Sequence, residues 1–380
     1  MINCFKKRPK INQKLKKQLK QKAKQLPSSF SKSDLTPWEI NIIEQIDKKT
    51  TKFNKNNITR TKAYYEFYRA HPEIHWALLG HLVSRNGGWN MTDLKGDLLP
   101  RLMTNREREN FFSFLERGNW LIFQDVFPQC LLYQQSLAKQ KNLFYLLPYL
   151  DVSIFMEVIW NNFWEYRDCR QLAIAMIINE QNYLEERVIQ NKHFQDTVLH
   201  TIEFKLYDTF RFNHIIFPKL NEITGRPSVV GDTLYQFDEL HQRINIGIRL
   251  YDLLFQRKAR LQAIIQWAAK HPHTGSRSDY WKDLFHPVNE SAPGPSYKRR
   301  TKNCRLKKGK TRIYSPPLQF AWADVEHKEA EKKDWFHDYQ VLYYLDKSEK
   351  EIGGEIYDDY CNALEKIELA IIAKNAIFFK

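Results

Sequence analysis

Apolar residues recur at helical spacing along most of the chain, and runs that alternate apolar with polar residues are scarce. That periodicity predicts an all-α, multi-helix globular protein. Two start signals are sharp. Thr36-Pro37-Trp38-Glu39 and Thr104-Asn105-Arg106-Glu107 read as capping boxes, the first with Pro at the opening helical position. The first helix carries Trp38, Ile42 and Ile46 inward; the second carries Phe111, Phe112 and Leu115 and is expected to stop near Gly118. After Thr59 a helix buries Ala63, Tyr64, Phe67 and Tyr68. His71-Pro72 interrupts it, Pro72 opens the next, and Arg85-Asn86-Gly87-Gly88 has the composition of a helix end, with Asn90 or Thr92 capping the succeeding helix.

Further on, 120–140 reads as one or two helices divided at Pro128, and Asp151 is placed to cap VSIFMEVIWNNFWEY, which is apolar nearly all round. Helices are expected over 169–191, 193–212, 234–256 and 258–270, with turn chemistry at 223–232 and a short helix after Ser276 or Ser278. The stretch 287–317 combines Pro, Gly and Ser with basic residues and reads as a long surface loop. Helix-like runs near 323–345 and 356–378 close the chain, the last with Ile356, Tyr360, Leu364, Ile367 and Ile371 to dock it. The expected division is a basic tail and linker over 1–34, a main helical domain over 35–286, the basic loop over 287–317, and a C-terminal helical portion over 318–380 packed on the main domain.

Charge changes this picture. The formal net charge is +15, yet of the 59 Lys and Arg, twenty sit in two strips without an acid, residues 1–32 and 296–312, which leaves 39 against 44 acids elsewhere. In the first strip Ile11, Leu15, Leu19, Ala23 and Leu26 form a narrow apolar stripe on a helix otherwise covered by Lys and Gln. Such a helix suits an anionic lipid surface, where each cation contributes roughly 1 kcal/mol, and equally the phosphates of nucleic acid. Lys14, Lys16, Lys17, Lys20, Arg299, Arg300, Lys307 and Lys308 are the residues expected to meet that surface. The apolar stripe favours lipid of the two. Five cysteines, odd in number and without C-x-x-C, fit reduced thiols and a cytoplasmic location, with the inner membrane face within reach. No disulfide-linked partner and no cofactor is expected.

The segment TRTKAYYEFYRAHPEIHWALLGHLVSRNGGWNMTDLKG, with FLERGNWLIFQD and TGSRSDYW after it, resembles the YppC-like domain-of-unknown-function family of Bacillus and its relatives, from about Asn57 to about Phe285. The resemblance implies a soluble, largely helical bacterial protein and carries over no catalytic residue.

Candidate chemistry concentrates in the same segment. Arg60, Arg85 and Asn86, with Arg277 from the TGSRSDYW turn, are the residue types that would bind a phosphate or carboxylate, and His75 or Asp93 would then be the acid or base of an enzyme acting on that ligand. His71 and His75 are four apart, but Pro72 takes His71 out of the helix, and His81 lies roughly 240° round from His75, so no metal site is expected. Glu180, Glu185 and Glu186 read as a solvated acidic face. Lys307-Lys308-Gly309-Lys310-Thr311 resembles the end of a phosphate loop, but Cys304 stands where its first Gly belongs. The leading expectation is a helical protein docking on an anionic surface, membrane or nucleic acid, through the two strips. The alternative is an enzyme or receptor for a small anionic ligand in the Arg/His pocket.

Overall fold

Both capping boxes open the helices they signal: Thr36 Oγ1 accepts from the Glu39 amide and Thr104 Oγ1 from the Glu107 amide, and each Glu side chain reaches back to its cap's N–H. The computed structural model describes residues 11–25, 30–201, 214–220, 228–290, 297–303, 305–348 and 353–378. Lys6 to Lys10, Leu26, positions 27–29 of the linker, positions 202–212 of the helix expected over 193–212, positions 223–227 of the turn expected over 223–232, Cys4 and Cys304 lie outside them, as does the Ile11 side chain.

The main helices are α1 (Ile11–Lys24), α2 (Pro37–Phe53), α3 (Asn57–Ala70), α4 (His75–Asp93), α5 (Asn105–Lys139), α6 (Ile154–Tyr166), α7 (Cys169–Leu184), α8 (Leu240–Phe255), α9 (Lys258–Lys270) and α10 (Tyr357–Phe378). The protein is predominantly α-helical. A central core joins α2 to α8, with α7 apolar nearly all round and packed on α4, α5, α6 and α8. A second cluster gathers Trp89, Trp267, Trp281 and Tyr297 under Tyr360, Leu364, Ile367 and Ile371 of α10. No helix among the described residues is long and apolar enough to cross a membrane.

Several elements depart from the sequence reading, each for a physical reason. α4 begins at His75 rather than Pro72 and runs straight through Arg85-Asn86-Gly87-Gly88 to Asp93, so Asn90 and Thr92 lie inside it rather than at a cap. The glycine at 88 answers a close approach, because a Cβ there would stand 2.3 Å from Asn57 Oδ1 and 2.5 Å from His273 Nε2. α5 is one helix of 35 residues that passes both Gly118 and Pro128. Ser153, not Asp151, caps α6; Asp151 is the left-handed residue closing the preceding turn, with φ 58°. After π-type turns over Glu185–Ile189 and Gln195–Leu199, strands β1 (His214–Lys219) and β2 (Ser228–Thr233) form an antiparallel hairpin, a β element the helical pattern did not predict. The run at 323–345 is mostly irregular, with a 3-10 helix over Tyr339–Asp346.

The basic loop is also tied down. β3 (Phe285–His286) pairs with β6 (Ile313–Tyr314), and β4 (Thr301–Lys302) with β5 (Arg305–Leu306). Buried Glu368 of α10 is the anchor, accepting from Tyr297 Oη at 2.8 Å, the Arg300 amide at 2.6 Å, and the Thr301 amide and hydroxyl. Cys130 and Cys169 are buried free thiols, but Cys361 is disulfide-bonded, so the expectation of five reduced thiols fails there.

Candidate functional site

The polar residues of the signature segment divide among separate partners instead of converging. Arg60 of α3 is buried and clamps the Glu116 carboxylate of α5 with Nη2 at 2.5 and 2.6 Å, while its Nη1 donates to Asn54. Asn86 of α4 does the work of a neighbouring strand: its Nδ2 donates to the Ile216 carbonyl and its Oδ1 accepts the Ile216 amide, both at 2.9 Å. Arg277 forks onto Asp93 at 2.7–2.9 Å and also reaches Asn90, Tyr280 and Tyr360. Asp93 is thus held as the partner of a guanidinium; burial nonetheless raises its carboxyl.

Arg85 has no carboxylate partner. Its guanidinium lies 4.6 Å over the Trp267 ring, Nη2 donates to the His271 carbonyl, and Nε and Nη1 meet no protein acceptor. Burial brings its pKa down to about 10. The anion pocket expected from Arg60, Arg85, Asn86 and Arg277 is therefore not assembled: Arg60 and Arg277 each hold a carboxylate and Asn86 is bonded to the Ile216 backbone. His75 is no better placed as a base. It stacks on Phe255 at 4.1 Å, its Nδ1 meets Tyr251 Oη, and burial pushes it down to about 4, so it is neutral at pH 7. His81 is packed inside with Nδ1 against the Thr61 carbonyl.

A different concavity is built around α7. A cavity of about 240 Å³ runs between α4, α5, α7, α8 and β1, walled by Leu79, Phe114, Ile122, Ile177, Val188 and Ile246. Arg60 and Arg243 reach its wall, but Glu116 and Glu185 already neutralise them. Glu180 also lines it and makes no ion pair among the described residues. One carboxyl oxygen accepts from Trp76 Nε1 at 3.1 Å and the other from Gln181 Nε2 at 3.2 Å. Burial pushes Glu180 up to about 8, with Asp125 adding a smaller push in the same direction. The acidic run taken as a solvated face is thus turned inward at its first member and paired with Arg243 at Glu185. The sequence carried one signal for this: Glu180 sits three and four residues from Ile177, Met176, Tyr183 and Leu184, all buried.

The surface cations behave in two ways. Leu15 and Leu19 are fully buried where α1 packs on α6 and on the 3-10 helix Tyr339–Asp346, so these two residues of the stripe meant for lipid face the protein's own body, while Ala23 is exposed. Lys14 lies 2.5 Å from Tyr166 Oη and 4.0 Å from Glu165; Lys22 bonds Glu157 at 2.6 Å; Lys16, Lys17 and Lys20 are exposed. In the second strip Arg300 is buried on Asp97 at 2.5 Å and Arg299 pairs with Glu365, so neither is available to a partner as expected. Lys298, Lys302, Arg305, Lys307, Lys308 and Lys310 make no ion pair among the described residues.

A helical body with a neutral, walled cavity and one anchored basic ribbon defines the class. Residues 52–356 match the family described as Protein of unknown function (DUF2515), and the chain belongs to that family. It is 38% identical over 297 residues to the Uncharacterized protein YppC of Bacillus subtilis, an alignment covering 78% of this chain and 83% of that protein. No solved structure matches it at a significant level.

Proposed function

We propose that the protein is a cytoplasmic nucleic-acid-binding protein that docks on phosphates through the ribbon at 298–310. One observation carries the reading: Arg300 on Asp97, Arg299 on Glu365 and the contacts to Glu368 pin the base of the ribbon, while its remaining six cations are exposed or half-exposed and make no ion pair among the described residues. A pinned cation row loses less side-chain and backbone freedom on binding than a tail would. Lys16, Lys17 and Lys20 on the outer face of α1 add a second row. Lipid is the weaker partner, because an interfacial helix needs an apolar face to insert and the two leucines of the α1 stripe, Leu15 and Leu19, are buried against the protein. The cytoplasmic placement rests on the partner alone, since Cys361 is disulfide-bonded and the sulfurs of Cys130 and Cys169 are buried.

The test is fluorescence anisotropy with a 30-base-pair duplex from 50 to 200 mM salt, against vesicles containing phosphatidylserine. Six phosphate contacts give a log–log salt slope of about −5 on duplex DNA. Converting the six ribbon cations to Gln should abolish most of that slope. Absence of duplex binding at 50 mM salt, undiminished binding by the six-fold variant, or tighter binding to vesicles than to duplex refutes the reading.

A further inference from the structure

We propose that the cavity between α4, α5, α7 and α8 binds a small, predominantly apolar molecule carrying one uncharged hydrogen-bond acceptor, a carbonyl or ether oxygen, which seats against the Glu180 carboxyl. This site is independent of the basic ribbon.

Size and lining set the class of ligand. At about 240 Å³ the space is far larger than the roughly 10–15 Å³ that a single water occupies, and its walls are side chains of Leu, Ile, Val and Phe from four helices and the π-type turn. Apolar walls favour an apolar body. Charge decides against an anionic head: the guanidinium groups at the wall, Arg60 and Arg243, each hold a carboxylate of their own, so among the described lining residues neither lacks a countercharge. A cationic head would require Glu180 to ionise, in a setting that already resists ionisation.

Glu180 sets the polar end. The groups facing it are Trp76 of α4, Gln181 beside it on α7, Asp125 of α5, Tyr64 and Arg60 of α3, and Arg243 of α8. Trp76 and Gln181 both donate to it. Burial raises its pKa to about 8, so at pH 7 the carboxyl is protonated, and the two groups bonded to its oxygens, Trp76 and Gln181, are donors and not acceptors for its O–H. A buried donor without an acceptor is costly, and a ligand oxygen supplies what the protein omits. Gln181 is oriented by Arg243 Nε, which donates to its Oε1 at 3.1 Å, so its amide turns N–H toward Glu180 and cannot flip to accept that proton without losing the Arg243 bond.

Gly118 gives a clean way to close the site. It lies in the middle of α5 on the cavity wall, and a Cβ built there meets nothing within 4 Å. Gly118→Leu therefore projects its side chain into the space without backbone strain and raises helix propensity.

The experiment is isothermal titration of the full chain with 2-nonanone, nonanoate and nonylamine at pH 6.5. The ketone is expected to bind at least tenfold more tightly than either charged probe. Its affinity should fall about tenfold per pH unit above pH 8, and Glu180→Gln, which keeps a donor but cannot ionise, should flatten that profile. Gly118→Leu should abolish binding while retaining the wild-type circular dichroism; Ile122→Trp is the second blocking variant should the first fail to fold. The proposal is overturned if the ketone does not bind at millimolar concentration, if a folded blocking variant binds it as wild type does, if nonanoate binds more tightly, or if Glu180→Gln retains the fall above pH 8.

Discussion

Two glycines inside helices should respond to alanine in opposite directions, and the contrast tests the packing at the heart of the signature segment. Both substitutions gain roughly 1 kcal/mol of intrinsic helix propensity. At Gly118 nothing stands within 4 Å of the new methyl, so Gly118→Ala should stabilise by about 0.5–1 kcal/mol. At Gly88 the methyl would lie 2.3 Å from Asn57 Oδ1 and 2.5 Å from His273 Nε2. Neither group can swing away cheaply: Asn57 is fully buried and donates to the Ser84 carbonyl and hydroxyl, and its Oδ1 accepts from His273 Nε2 at 2.9 Å. Overpacking costs about 1–3 kcal/mol, and displacing Asn57 forfeits hydrogen bonds each contributing about 0.5–1.5 kcal/mol. After the helix gain is subtracted, Gly88→Ala should destabilise by about 2–3 kcal/mol, which places the two variants about 3 kcal/mol apart. Urea unfolding followed by tryptophan fluorescence reads this as a midpoint separation of about 1 M, for a slope near 3 kcal/mol/M. A Gly88→Ala midpoint equal to or above that of wild type would refute the close-approach argument and restore the view of Gly88 as a helix-ending residue.

Four further outcomes rest on the same geometry. Glu116→Gln leaves the buried Arg60 guanidinium without its countercharge, and should cost about 3–5 kcal/mol in the same unfolding assay. Asp125 is raised to about 7 and Glu180 to about 8, so the native state holds protons that the unfolded chain, with carboxylates near their ordinary values, has released. Stability is then greatest below about pH 4 from these two groups and declines as pH rises toward 8; Asp125→Asn should make the measured decline between pH 5 and 8 shallower. Glu368→Ala strips the acceptor from four donors at 297–301, and hydrogen exchange should accelerate across the described parts of 297–314 while α7 amides keep their protection. Replacing Leu15 and Leu19 with Ser should release α1, seen as loss of exchange protection at 13–25, with phosphatidylserine vesicle binding unchanged because those side chains face the protein.

How much of this was legible depends on whether a local rule or a distant partner decides. The capping boxes at Thr36 and Thr104 were readable because both halves of the device lie within four residues. Pro128 was not, since tertiary packing decides there: Val126, Phe127, Gln129 and Cys130 around it are buried in the core, and the helix continues despite the missing N–H at 128. The β1–β2 hairpin escaped because β1 is apolar without alternation, and Asn86, 130 residues away, completes the bonding of Ile216. Composition marked Arg60, Asn86 and Arg277 as unusual, correctly, but what makes them unusual is the cross-chain pairing each performs.

The same distinction separates the two charged features that remain. A basic strip in a sequence shows only that cations are close in the chain; whether they are available depends on acids brought from elsewhere. Asp97, Glu365 and Glu290 remove Arg300, Arg299 and Arg312 from the second strip, and Glu157 removes Lys22 from the first. The lysines left over in the second strip make no ion pair among the described residues, and they include the ones on the hairpin whose base the arginines fix. Arginine suits that anchoring role because its planar fork pairs with carboxylates in a fixed geometry, whereas lysine is a strongly hydrated point charge at the end of a long stem. Within the ribbon the arginines mostly set position and the lysines mostly carry exposed charge. Exchanging Arg300 for Lys should therefore loosen the ribbon even though the net charge is unchanged, and duplex affinity would follow the geometry rather than the charge count.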